Sequence, residues 1–150
     1  MSLKEKIQEE MKTAMRSKDK TALAALRAIK SAILLAETAE GRSPGPLTDD
    51  EGMKLLIKQA KQRRDSAAQY RDNGREDLAE TEEAELEVVE RFLPKQLSTE
   101  EIEAEVKAII AETGASSMKD MGRVMGVASK KLAGRADGKA ISGIVKQLLG

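Results

Sequence analysis

The stretch Thr48–Phe92, TDDEGMKLLIKQAKQRRDSAAQYRDNGREDLAETEEAELEVVERF, decides the fold. Thr48-x-x-Glu51 is a capping box: the threonine hydroxyl accepts from the third backbone N–H of a helix and the glutamate reaches back to the cap. A long helix follows, with Met53, Leu56, Ile57, Ala60, Ala67 and Tyr70 recurring at helical spacing to mark its inner face. Asn73-Gly74 ends it, since glycine takes the cap conformation most readily. Glu76–Phe92 reads as a second helix. The first helix is basic outside, with seven Lys/Arg in Gly52–Arg75 against Asp65 and Asp72. The second is acidic: Glu76–Glu105 holds twelve acids against Arg91 and Lys95. A basic helix and an acidic one joined by a tight turn predict an antiparallel hairpin. Exposed ion pairs contribute only roughly 0–1 kcal/mol each, so the apolar seam decides the packing.

Upstream, Ser2-x-x-Glu5 is another capping box, and the first helix is expected just after it, burying Leu3, Ile7, Met11, Ala14 and Met15. Ser17–Lys20 breaks that pattern. The next helix is expected from about Thr21 to Ala39, with Leu23, Leu26, Ile29, Ile33 and Leu34 inward. Gly41-Arg42-Ser43-Pro44-Gly45-Pro46 cannot continue a helix, and with no hydrophobic anchor it reads as a mobile loop. Downstream, Leu93-Pro94-Lys95-Gln96-Leu97 marks a boundary, giving domains of 1–93 and 94–150. Ser98-x-x-Glu101 is a third capping box; its helix buries Ile102, Val106, Ile109 and Ile110 and stops at Gly114. Ser117 caps a helix carrying Met121, Val124, Met125, Ala128 and Leu132, ended by Gly134. Asp137 is placed to cap the last, with Ile141, Ile144, Val145, Leu148 and Leu149 inward. The expected fold is all-α: an N-terminal four-helix domain and a C-terminal three-helix bundle.

Composition narrows the chemistry. Of 150 residues 35% are charged, and Tyr70 and Phe92 are the only aromatics. The chain has no Cys, which excludes disulfides and thiolate metal sites and fits a reducing compartment. It has no His, the commonest general base and metal ligand. No apolar run approaches the ~20 residues of a membrane span and the N-terminus shows no signal-peptide core, so a cytoplasmic location is expected.

The formal net charge is zero, yet Ser117–Gly150 carries seven Lys/Arg against Asp120 and Asp137, a charge of +5 balanced by −5 on the rest. Lys119, Arg123, Lys130, Lys131, Arg135 and Lys139 are the candidate polyanion contacts. Gly122 and Gly126 share a helical face, and each glycine within a helix costs on the order of 1 kcal/mol relative to alanine. Close internal packing is the simpler offset; a partner backbone pressed against that face is the other. Gly134-Arg135-Ala136-Asp137-Gly138-Lys139 is no nucleotide loop: it is one residue short, and Ala140 stands where a magnesium-binding hydroxyl belongs. It reads as an interhelical turn in which Arg135 and Lys139 flank a helix N-terminus, a place that also favours phosphate.

Other groups have plainer explanations. Ser116-Ser117-x-Lys119 is a helix cap before it is a serine–lysine pair. Glu80, Glu82, Glu83, Glu85 and Glu87 spread round their helix, which reads as a solvated face and not as a cation site. Lys58, Lys61, Arg63, Arg64 and Arg71 form a basic patch that the neighbouring acidic helix is expected to neutralise. Catalytic residues, metal ligands and cofactors are all expected to be none. With no exposed aromatics to stack bases, a nucleic acid would be held through phosphates and shape, as folded RNA is.

Leu93-Pro94-Lys95-Gln96-Leu97-Ser98, Asp120-Met121-Gly122-Arg123-Val124-Met125-Gly126 and Gly134-Arg135-Ala136-Asp137-Gly138 together resemble the YqeY family. Lys61-Gln62-Arg63-Arg64-Asp65-Ser66 and Gly74-Arg75-x-Asp77-Leu78 extend the resemblance over the whole chain. This family is similar to the C-terminal tail of the B subunit of the glutamine-dependent Asp-tRNA/Glu-tRNA amidotransferase. The resemblance implies two helical domains and a tRNA-contacting tail. It also implies a family label of carbon–nitrogen ligase activity with glutamine as amido-N donor, inherited from the complex. The expectation is a non-catalytic tRNA-binding module with Gly122, Gly126, Gly134 and Gly138 allowing close approach. The alternative is a protein-interaction adaptor, with the amidotransferase or another protein as partner.

Overall fold

The computed structural model describes residues 1–150 and contains seven α-helices and no strand. The chain divides into two compact units, Met1–Leu93 and Pro94–Gly150. In the first, α1 (Leu3–Ser17), α2 (Lys20–Glu37), α3 (Asp49–Asp72) and α4 (Glu76–Glu90) enclose one core. In the second, α5 (Thr99–Thr113), a 3-10 turn (Met118–Asp120), α6 (Met121–Lys131) and α7 (Gly138–Leu149) enclose another.

Local sequence sets the helix ends. Ser2, Thr48 and Ser98 each cap a helix through a complete capping box with Glu5, Glu51 and Glu101. The backbone N–H of Ser98, followed by its hydroxyl, holds the Glu101 carboxyl below the usual carboxylate range. Gly114 ends α5 in the left-handed conformation, φ 68°. Thr38 is the C-cap of α2 and donates its hydroxyl to the Leu34 carbonyl at 2.8 Å, three residues before the glycine-rich loop. Asp137 holds the N-cap position of α7, but its carboxylate makes no cap bond; only its carbonyl accepts from the Ile141 N–H, at 3.0 Å.

Leu26 and Ile29 of α2 lie at the centre of the first core, against Ile7 and Met11 of α1, Leu56 and Ala60 of α3 and Val88 and Val89 of α4. Burying each large side chain contributes about 1.5–3 kcal/mol. Two expected core residues are outside: Met15 is 50% exposed and Leu34 45%. Each lies one residue, or about 100°, beyond a position already in the seam (Ala14 and Ile33), and so turns to solvent. The second core is built on Val106 and Ile109 of α5, Val124 and Ala128 of α6, Leu132 after it, and Val145 of α7.

The 41–46 segment has an anchor that hydrophobic reading overlooks. The Arg42 guanidinium donates to the carbonyls of Ser43, Gly45 and Pro46 at 2.9–3.2 Å and forms a two-pronged pair with Glu51 at 3.0 Å. One arginine thus ties the loop to the cap of α3, where a mobile loop is the expectation from composition.

Candidate nucleic-acid interface

On α6, Val124 and Ala128 face the core, followed by Leu132, which is as fully buried. A period of 3.6 residues puts Arg123, Gly126 and Lys130 on the opposite side, with Gly122 beside them and Lys119 just ahead in the 3-10 turn. All five are exposed. A Cβ built on Gly122 or Gly126 meets nothing within 4 Å. Close internal packing, the simpler sequence reading, is therefore wrong for both glycines. Their helix-propensity cost of roughly 1 kcal/mol each is not recovered inside the chain.

α7 repeats the arrangement. Ile141, Ile144, Val145 and Leu149 are buried, while Lys139, Gly143 and Lys146 follow one another at i, i+4 and i+7 on the exposed side. A Cβ on Gly143 also meets open space. Lys146 and Gly143 escape sequence reading because no motif contains them; the signal is their spacing from Lys139, legible once the buried stripe of α7 is fixed.

The six predicted cations do not form one cluster. Lys119 and Lys130 have no carboxylate within ion-pair distance. Arg123 donates to Asp120 at 3.3 Å, and this carboxylate also accepts from the Ser116 N–H at 2.9 Å. The Ser116 amide, ahead of Arg123, holds the Asp120 carboxyl below its ordinary range. Lys131 lies about 80° round the helix from Arg123 and meets Glu105 of α5 at 3.5 Å. Arg135 turns back to donate to the Lys131 carbonyl at 3.1 Å, satisfying the C-terminus of α6. Lys139 is exposed in the first turn of α7.

Gly134 and Gly138 differ as well. Gly134 is buried at φ 76°, the left-handed region that glycine tolerates best. Gly138 has neither a positive φ nor a neighbour within 4 Å of a built Cβ, so the turn does not require it. The Gln96 amide donates to the Gly134 carbonyl at 2.7 Å, and the Leu97 N–H donates to the Arg135 carbonyl at 2.8 Å. The Leu93–Ser98 and Gly134–Gly138 motifs are thus joined by two hydrogen bonds, through Gln96 and Leu97. Ser117 accepts from the Lys119 N–H at 3.3 Å in a capping role.

The three arginines of the α3 patch are neutralised by α4, whereas Lys61 meets Asp65 of its own helix at 2.9 Å and Lys58 has no carboxylate within ion-pair distance. Arg63 pairs with Glu82 and Glu85, Arg64 with Glu90, and Arg71 with Glu76 and Glu83. Glu82 and Glu85 are only 21% and 15% exposed, so this part of the acidic face is an interhelical seam and not a solvated surface. The Glu76 and then Glu83 carboxylates raise the Arg71 guanidinium further above its ordinary value. No three acidic side chains converge on a metal-sized site, and no helix is long and apolar enough to cross a membrane.

Comparison with known proteins agrees with the motifs. The chain is 33% identical over 149 residues to "Altered inheritance of mitochondria protein 41, mitochondrial" of Pyrenophora tritici-repentis, a match covering 97% of this chain and 80% of that one. It is 32% identical over 92 residues to an uncharacterized protein of Schizosaccharomyces pombe, covering 61% of this chain and 72% of the relative. The family model described as Yqey-like protein matches residues 4–149, and the chain belongs to the YqeY family.

Proposed function

We propose that this chain is a helical tRNA-binding module, related to the tail of the tRNA-dependent amidotransferase B subunit and without chemistry of its own. The family label of carbon–nitrogen ligase activity with glutamine as amido-N donor then belongs to the complex that such a tail serves. The observation that carries the reading is the exposed side of α6: Lys119, Arg123 and Lys130 beside two glycines that leave the backbone open. Ammonium and guanidinium groups take phosphate oxygens, and a helix side without Cβ atoms lets a sugar–phosphate chain come close. Lys131, Arg135 and Lys139 are secondary contacts in this reading, since Lys131 and Arg135 already serve the bundle. Filter binding of bulk tRNA to the full chain tests it. Saturable binding that weakens steeply between low and moderate salt is expected, and absence of binding at low salt rejects it.

The protein-adaptor reading rests on Met118 and Val127, exposed at 45% and 38% near the same glycines, which suit a docked helix. Pull-down after nuclease treatment separates the two: protein retained by wild type and lost in Val127→Glu supports the adaptor. We place the module in the cytoplasm, a reducing compartment that suits a cysteine-free chain; the relative named as mitochondrial makes the mitochondrion the alternative, and fractionation decides.

A further inference from the structure

Within the four-helix unit a groove of about 380 Å³ runs between α2 and α3. Ala32, Leu35 and Ala36 of α2 and Leu55 of α3 supply its apolar lining. Leu35 is 73% exposed, forgoing most of the roughly 1.5–3 kcal/mol that burying a leucine contributes. Beside it, the two alanines keep the α2 surface low, so another backbone can approach. Exposed leucine over small residues is the composition of a contact surface more than of a solvated one.

The α3 edge of this groove is cationic. Lys58 has no carboxylate within ion-pair distance, and Lys54 meets only Asp50 at 3.1 Å, with both side chains more than three-quarters exposed. Such a pair is worth little and exchanges readily. Gln59 and Gln62 continue this edge and also line the next concavity, towards Glu82 of α4. A nucleic acid would use the lysines and waste the leucines. An apolar floor edged by cations fits a ligand that is apolar on one side and anionic on its flank.

We propose that the α2–α3 groove receives an amphipathic helix of another protein, with apolar anchors at i, i+3/i+4 and i+7 and Asp/Glu along its flank. A second copy of this chain has no such helix to offer. Its acidic helices, α4 and α5, bury their apolar stripes (Val88 and Val89; Ile102, Val106 and Ile109) in their own cores. The site is independent of the polyanion reading of α6 and uses none of its residues.

The test is fluorescence anisotropy of the full chain with a stapled helical peptide bearing leucines at i, i+3, i+4 and i+7 and flanking glutamates. Wild type is expected to bind saturably. Leu35→Glu, a surface change that leaves helix content unaltered by circular dichroism, weakens binding at least about tenfold. Lys58→Glu weakens the glutamate-flanked peptide and strengthens a lysine-flanked one, while Lys119→Glu/Lys130→Glu leaves the affinity unchanged. Any of four results overturns the proposal: no saturation at millimolar peptide, indifference to Leu35→Glu, loss on the α6 reversals, or displacement of the peptide by bulk tRNA.

Discussion

On α3 the Arg63 guanidinium lies against Glu82 and Glu85 of α4, and Arg71 reaches Glu76 and Glu83. By contrast Lys130 of α6, and Lys119 in the 3-10 turn before it, are exposed with no carboxylate within ion-pair distance, beside glycines that add no side chain of their own. Both helices are rich in Lys/Arg, yet their charges do different work. In the first unit Arg63, Arg64 and Arg71 are internal glue for a helix hairpin. In the second, Lys119 and Lys130 pair with no carboxylate, and Arg123 reaches only Asp120, three residues before it. Positive charge in a sequence is thus a poor guide to polyanion binding until its partners are known.

The contrast breaks most visibly at Arg63, whose side chain is 15% exposed. Arg63→Ala leaves Glu82 and Glu85 facing each other with no cation between. We expect a loss of roughly 2–3 kcal/mol in chemical denaturation, below the 3–5 of a fully buried pair, with tRNA affinity unchanged. Lys119→Glu/Lys130→Glu should do the reverse: tRNA affinity falls about tenfold or more, close to 1.4 kcal/mol or beyond, while the denaturation midpoint stays put.

Gly126→Ala sharpens the comparison, because a merely structural glycine cannot show both its effects. The added methyl meets nothing within 4 Å, so the fold should gain up to about 1 kcal/mol from helix propensity. Affinity for tRNA should fall in the same variant. A stabilised protein with unaltered binding would show that the open face serves no ligand.

The smallest effect is expected at Arg42. Hydrogen bonding to Arg42, then to the Thr48 backbone, lowers the Glu51 carboxyl from 4.5 to about 2. A depressed folded-state value contributes stability that is present above the unfolded value and lost as pH falls through the folded one. That contribution therefore fades between pH 4.5 and about 2. Arg42→Ala should raise the Glu51 value in NMR titration and slightly blunt the acid-limb dependence of stability. Glu51 is solvent-accessible, so screening keeps the effect small.

What could be read from the sequence follows the range of the forces involved. Ser2, Thr48 and Ser98 announce helix starts because a capping box acts over three residues. The buried stripes of α5 and α7 were equally legible, since periodicity depends only on the helix itself. Met15 and Leu34 lie beyond such reading because a hydrophobic residue at a stripe's margin goes in or out according to what its neighbours leave open. The role of Arg42 is invisible to composition because three of its bonds go to backbone carbonyls, which every residue possesses, and its carboxylate partner Glu51 lies nine residues on. At the candidate site the sequence singles out Gly122 and Gly126 but favours internal packing for them, which the open space around both rules out. It also counted Lys131 and Arg135 with the contacts, although Glu105 and the end of α6 already engage them. Partnership between side chains distant in sequence is the part that composition does not encode.

On the proposed reading Lys119, Arg123 and Lys130 grip a polyanion and the paired arginines of α3 do not. The most direct test is the slope of log affinity against log salt for bulk tRNA, measured on wild type, Lys119→Glu/Lys130→Glu and Arg71→Gln. Three phosphate contacts by Lys119, Arg123 and Lys130 predict a wild-type slope of about −2 to −3. The α6 variant should lose most of that slope and Arg71→Gln none of it. Equal slopes in all three proteins, or a slope lost only in Arg71→Gln, would contradict the account.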